Sequence, residues 1–474
     1  MNAVIEGAVP ELQPPHETGG KEPASNIAQG AWVLYEWANQ TYFSLITIFL
    51  FPPFFTQVLA ANPIEGQAQW GYVQAVAGIS IALLSPLLGA MADAAGPRKP
   101  WIVVTTLICA AGCFALWFAV PGSPLLPVMV ALVVAAIGME FTIIFANAML
   151  PTIASDRRIG LLSGIGIGVG QLAAIVALVL VLILLQLPGE VEASFIPAEP
   201  IFGLSKEAHE TDRIIGPISG LWFLVFMLPL LILVPDQKSR GISRSEAARE
   251  GLHRLVATLR SVRHFRNVAL YLFSRMLFYD GMTAIFVFGG ILAAGIFGWG
   301  AMEMAVYGIW VTLFAAFGAF VGGWVDLRIG SKRTLVWSLL GVIATFLLLL
   351  SFDRDRIFYV VTVPVAADAG AFTTLPQQLF LLTVGLFGLA VGPVIASSRT
   401  MMARISPREM MTEFFGLFAL VGKATAWIAP LLIGIVTEAT QNQRFGLMVV
   451  VPLILAGLIG LFFVKEERAS AVVH

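Results

Sequence analysis

Five ionisable residues lie inside long apolar runs of this 474-residue chain: Glu36, Glu140, Arg275, Asp280 and Lys423. A charge at the centre of a bilayer costs at least ~2.5 kcal/mol even on lenient insertion scales, so such residues mark solute pathways, proton relays or ligand contacts. A carboxyl group in an apolar cavity gains proton affinity by desolvation. If it meets water from alternate sides, it can load a proton on one side and release it on the other. Glu36, Glu140 and Asp280 have the type and setting for that chemistry. Arg275 and Lys423 have the charge to meet an anionic group or to neutralise the acids.

Spacing says which of these groups act together. Glu36, Asn39, Gln40, Phe43 and Thr47 fall within about 100° on a helical wheel, which predicts one polar face turned to a central cavity. Glu140 and Asn147 are seven residues apart and share a face. Tyr271, Arg275 and Tyr279 also share one, while Asp280 points about 140° away from Arg275. Those two charges cannot pair along their own helix, and Arg275 is expected to meet Glu36 or Glu140 instead. Lys423 shares its face with Trp427 and Pro430. Tyr35 precedes Glu36 just as Tyr279 precedes Asp280, at equivalent places in the two halves of the chain.

A second signal is written twice. GAMADAAGPRK, from Gly89 to Lys99, is echoed by GGWVDLRIGSKR, from Gly322 to Arg333, and the two aspartates lie 233 residues apart. An acid at a helix end can accept hydrogen bonds from a neighbouring helix's first amides, and from a nearby arginine, only while the two helices are close. Gly89, Asp93, Gly96, Arg98 and Lys99 in the first copy, and Asp326, Lys332 and Arg333 in the second, therefore read as conformational latches. Each copy follows the second apolar run of its half, so the chain reads as one six-run unit repeated, as in transporters.

Twelve runs long enough to cross ~30 Å of hydrocarbon position these residues. They are placed at Trp32–Leu59, Trp70–Ala92, Trp101–Val120, Leu125–Ala148, Ile159–Leu185 and Gly216–Val234 in the first half. In the second they are placed at Val268–Ile296, Met304–Val325, Thr334–Phe352, Leu379–Ser397, Phe414–Thr437 and Leu447–Val464. The expected architecture is all-α: residues 29–236 and 266–465 form two six-helix bundles. Residues 1–28 and 466–474 are tails, and 237–265 form a linker with a helix on the membrane surface. In the fifth run Gly160, Gly164 and Gly168, with Gly166 and Gly170 on a neighbouring face, predict close helix packing.

Composition agrees. Hydrophobic residues make up 58% of the chain, charged ones 12%, and mean hydropathy is +0.87, too little polar surface for a water-soluble globule. A net charge of −1 argues against nucleic acid, whose binding needs basic surface. Cys109 and Cys113, one turn apart in an apolar run, read as packing. With the amino terminus cytoplasmic, 21 of the 28 lysines and arginines fall on cytoplasmic loops and five outside. That asymmetry places both termini in the cytoplasm. Neither a phosphate-binding loop nor a metal-ligand pattern is present, so no cofactor, no metal and no enzymatic reaction are expected. The expected partners are lipid, a small solute and protons, with the chain a monomer.

Gly89, Asp93, Gly96, Arg98 and Lys99 match the loop signature of the major facilitator superfamily; the second copy departs from it, with Gly330 one place late. A narrower resemblance is carried by Tyr35-Glu36-Trp37-Ala38-Asn39, the NAMLP segment at Asn147 to Pro151, Asp280-Gly281, Ser398-Arg399, and Glu413 to Gly416 with Gly422-Lys423. In these the chain resembles the vacuolar-effluxer-like branch, the autophagy-related protein 22 type. Members usually carry aspartate at Glu36, serine at Gln40, a Tyr-Asn pair at Phe278 and Tyr279, and aspartate at Thr152. The resemblance implies twelve helices, alternating access and, by analogy with the fungal members, amino-acid transport. Arg275 or Lys423 would then meet the solute's carboxylate and Glu36 or Asp280 its ammonium. The competing expectations are an exporter of lipids or hydrophobic drugs and a transport-inactive membrane sensor. The short loops and compact size point to a bacterial inner membrane.

Overall fold

The computed structural model describes residues 24–466 except 155, 237–264, 367–368, 407–413, 415–416, 419–420 and 423. Of the expected tails (1–28 and 466–474) and linker (237–265), residues 1–23, 237–264 and 467–474 lie outside the described residues, and the first helix already begins at Asn26. The first half contains α1 (Asn26–Leu59), α2 (Pro63–Ala95), α3 (Lys99–Phe118), α4 (Leu125–Ile153), α5 (Asp156–Val181) and α6 (Ile215–Leu233). The second contains α7 (Arg266–Phe297), α8 (Ala301–Ile329), α9 (Ser331–Leu350), α10 (Leu375–Ile405), α11 (Ile428–Thr440) and α12 (Gln443–Phe463). Among the described residues ten helices are long and apolar enough to span a bilayer. Helices α2 and α11 stand at the places expected of the second and eleventh spans. A short antiparallel hairpin, β1 (Arg356–Ile357) with β2 (Val361–Thr362), joins α9 to α10.

Most helices outrun their apolar cores. Polar caps set the starts: Asn62 Oδ1 accepts from the Ile64 and Glu65 amides at 3.1 and 3.0 Å, with Pro63 at the first position, where no amide is needed. Gly96 and Gly330, both at φ 88°, end α2 and α8 and turn the chain directly into the next helix. The repeated loop glycine is thus required by backbone conformation.

Within the first half α1 packs on α5 and α6, and α3 on α4 and α6. The α3–α4 seam is tight because Gly112 leaves no room beyond hydrogen: a Cβ there would lie 2.7 Å from the Ala131 carbonyl oxygen. Cys109 and Cys113 are free and buried in this region. In the second half α7 packs on α12, and α10 on α8 and α9. The halves meet through α2 with α11, α5 with α8, and α1 with α7.

Call the end of the bundle where α1 begins proximal and the opposite end distal. Polar staples join the halves at the distal end. Gln67 Nε2 donates to Thr437 Oγ1 at 2.8 Å and to the Gln443 carbonyl at 2.9 Å, and Gln443 Nε2 donates to the Pro63 carbonyl at 2.8 Å. The Tyr72 hydroxyl donates to Glu438. Gly71 makes the approach possible, since a Cβ there would come within 2.6 Å of the Pro430 carbonyl oxygen. Toward the proximal end, α2 leaves Leu83, Leu84 and Leu87 exposed, and α8 leaves Phe317, Phe320, Trp324 and Leu327 exposed.

Candidate functional site

The polar face expected on α1 rests on α4 and α5. The Tyr35 hydroxyl lies 2.7 Å from Glu36 Oε1 and 2.5 Å from Asn147 Oδ1, and Asn39 Nδ2 donates to Glu36 Oε2 at 3.2 Å. Trp32 Nε1 fixes the helix pair by donating to the Ala146 carbonyl at 2.8 Å. Two glycines of α5 admit the carboxylate: a Cβ at Gly166 would sit 3.1 Å from Glu36 Cγ, and one at Gly170 would sit 3.4 Å from Gln40 Cβ. Glu140 is buried, near enough to the Tyr35 hydroxyl to act on it electrostatically. Asn147 is exposed although it lies on a spanning helix. Glu36, Asn39, Asn147 and Tyr35 therefore form one network, with Gln40 beside it.

The second half holds its charges differently. Among the described residues Arg275 does not form the expected ion pair across the halves. Its Nη1 donates to the Phe418 carbonyl at 3.0 Å, and its guanidinium lies 3.5 Å from the Phe418 ring centroid and 4.5 Å from that of Tyr279. Phe418 lies in the segment before α11, so the arginine is engaged inside its own half. Asp280 also turns to the eleventh helix, accepting from the Ala429 amide at 3.2 Å. Both side chains belong to residues only 6% exposed. Lys423 lies outside the described residues.

At the proximal end the two loop copies are clasped by acids from beyond the loops. In the first half the Arg98 and Lys99 amides donate to Asp236 at 2.8 and 3.0 Å. In the second, the Ser331 and Lys332 amides donate to Glu466 at 2.9 and 3.1 Å. Asp326 accepts from Ser331 Oγ at 2.9 Å and pairs with Arg404 at 2.9 Å, and Arg404 also pairs with Glu466. Lys332 Nζ binds the Phe462 and Val464 carbonyls at 2.7 Å. These contacts stay within the second half. Burial alone would push the Glu466 carboxyl up, but the Arg404 guanidinium and the two amides hold it below the usual carboxylate range. The Asp93 side chain lies outside the described set. Asp236, Glu466 and Arg404 were missed from sequence, although a signal existed: each acid sits three residues beyond the last helix of its half, after Leu233 and after Phe463.

Two helical bundles related by repetition, meeting at a seam and holding ionisable groups at membrane depth, define a major facilitator-type transporter embedded in a membrane by many spans. The chain belongs to the family described as vacuole effluxer Atg22 like, which it matches over residues 59–473. It is similar to an uncharacterised MFS-type transporter, YxiO, of Bacillus subtilis (strain 168), at 23% identity, covering 94% of this chain and 96% of that one. It is also similar to autophagy-related protein 22 of Cryptococcus neoformans, at 24% identity over 58% of this chain, spanning about half (48%) of that protein's length. Among solved structures, a bacterial homologue of the human lysosomal transporter Spinster, inward-facing and unoccupied, superposes with a TM-score of 0.64 at 16% identity, covering 95% of this chain and all (100%) of that one. The nucleoside transporter NupG superposes at 0.62 with 15% identity over 92% of this chain and 98% of that one. Identities this low speak for the fold.

Proposed function

We propose that this carrier moves small zwitterionic solutes, amino acids among them, by proton-coupled alternating access as a monomer in a bacterial inner membrane. The observation that carries this is the pairing of unlike sites across the seam. An acid with neutral polar neighbours, Glu36, sits in one half. A buried guanidinium, Arg275, whose partners among the described residues are a carbonyl and two aromatic rings, sits in the other. A buried cation without a carboxylate is costly, and an anionic solute group supplies the missing charge. Glu36 or Asp280 then meets the ammonium or carries the proton. With the proximal end cytoplasmic, as the lysine and arginine asymmetry assigns, the stapled distal end makes this the inward-facing state.

The test is uptake of a labelled amino-acid mixture into proteoliposomes under an imposed pH gradient. Gradient-driven uptake is expected to fall at least ~10-fold in Glu36→Gln while solute exchange without a gradient persists. An absence of amino-acid flux from wild-type vesicles that do take up a labelled lipid or hydrophobic drug would overturn the solute class. Identical gradient dependence in Glu36→Gln and wild type would overturn the coupling role of Glu36.

A further inference from the structure

We propose that Asp280 and Arg275 of α7 are positioning residues that clamp a break in the eleventh helix, and that this clamp governs the distal seam. The break lies at Thr425 to Trp427, between the helical residues ending at Ala424 and the start of α11 at Ile428. Pro430 has no amide to give to the Ala426 carbonyl, so the regular ladder cannot pass this point intact. Three donors around the break find partners outside the regular ladder. The Ile428 amide turns to the Thr425 carbonyl at 2.8 Å, the Trp427 indole donates to the Ala424 carbonyl at 2.9 Å, and the Ala429 amide goes to Asp280.

The charges have the signs that a broken helix asks for. Asp280 stands at the amino-terminal end of α11, where free amides and the helix dipole favour an anion. Arg275 stands on the segment before the break, on the Phe418 carbonyl and close to Gly422, whose Cβ would lie 2.9 Å from Nη1. Five positions separate the two residues on α7, and they point in different directions, so one rigid helix grips both sides of the break. This also accounts for two charges that cannot neutralise one another on their own helix.

The break touches the other half. A Cβ at Gly78 of α2 would meet Trp427 Cβ at 2.8 Å, and the staples from Gln67 and Tyr72 reach residues of α11. Holding the break therefore holds α11 where α2 can seal against it. Releasing the Ala429 amide lets the distal part of the eleventh helix swing and the seam part. Asp280 thereby gains a role that rests on the transport reading, although its test needs no solute.

Spin labels at Glu65→Cys and Gln441→Cys, both exposed beside the distal seam, report the gap in the full chain in lipid nanodiscs. Cys109 and Cys113 are buried. Asp280→Asn keeps the shape and removes the charge. It is expected to raise the long-distance population about fivefold and to speed amide exchange across 425–429, with Asp280→Glu restoring both. Pro430→Ala, which returns a donor to the helix, is expected to shrink the effect of Asp280→Asn in the double variant. Unchanged distances and exchange in Asp280→Asn, or strictly additive effects of the two substitutions, would overturn the clamp. Failure of amino-acid uptake alongside a shifted distance distribution would remove the proposed solute and leave the clamp standing.

Discussion

At the proximal end each half is clasped internally by the same kind of backbone contact, with different side chains around it. In both, a carboxylate three residues past the last helix receives two consecutive amides at the start of the third helix of that half: Arg98 and Lys99 give theirs to Asp236 at α3, Ser331 and Lys332 give theirs to Glu466 at α9. The end of α10 then brings Arg404 between Glu466 and Asp326. The matching place at the end of α4, one residue before its terminus, is Thr152, which is neutral. What the repeat preserves is an anion on a helix amino terminus, a contact written in backbone. Among the described residues, the second half adds a guanidinium, Arg404, that ties three of its elements together.

Removing that guanidinium should have the largest effect. Arg404→Ala leaves the Asp326 side chain, 5% exposed, without its cation and is expected to lower stability by about 2–3 kcal/mol, between the values for buried and exposed pairs. Asp236→Ala removes a clasp of helix-cap type, an expected loss of about 1 kcal/mol. Thermal unfolding in detergent ranks the two, and equal losses would erase the distinction between the halves. The smallest effect is in pH. Glu466 has a folded-state proton affinity below its unfolded one, so its stabilisation is present above the unfolded carboxylate range and disappears as pH falls through the lowered folded value. Melting temperatures of wild type and Glu466→Gln should therefore differ at neutral pH and converge as pH falls below the ordinary carboxylate range.

The helices were legible because lipid demands long apolar runs whatever their tertiary partners. Ends were less so: α10 runs from Leu375 to Ile405, whereas the apolar core suggests Leu379 to Ser397, since polar turns continue a helix beyond the hydrocarbon. The eleventh helix, expected whole from Phe414 to Thr437, is interrupted at Thr425 to Trp427 and resumes at Ile428, where Pro430 and a buried carboxylate on another helix decide its ladder. The α1 face with Asn39 and Glu36 followed from periodicity, and its contact with Asn147 came from a helix more than a hundred residues on. Arg275 shows the limit. Its burial was plain from the run around it, but a carbonyl and two rings can engage a guanidinium where a carboxylate was expected, and no spacing rule distinguishes them.

Helix α1 is wound more loosely at Phe43–Phe49 and again at Phe55–Leu59, where it takes π-helical form around Pro52 and Pro53. Below the first of these stretches its side chains mesh with α4 and α5. At its far end, Phe49 lies against Gly308 of α8, and the Ile48 carbonyl against Gly290 of α7. One rod is thus geared to both bundles, with a change of phase between the gears. In the proposed alternating-access cycle, the difference in rotation of the two bundles is taken up as torsion in this under-wound stretch. Deleting a single residue from among positions 43–47 would turn the distal gear by about 100° and disengage it, while leaving the Glu36 network seated.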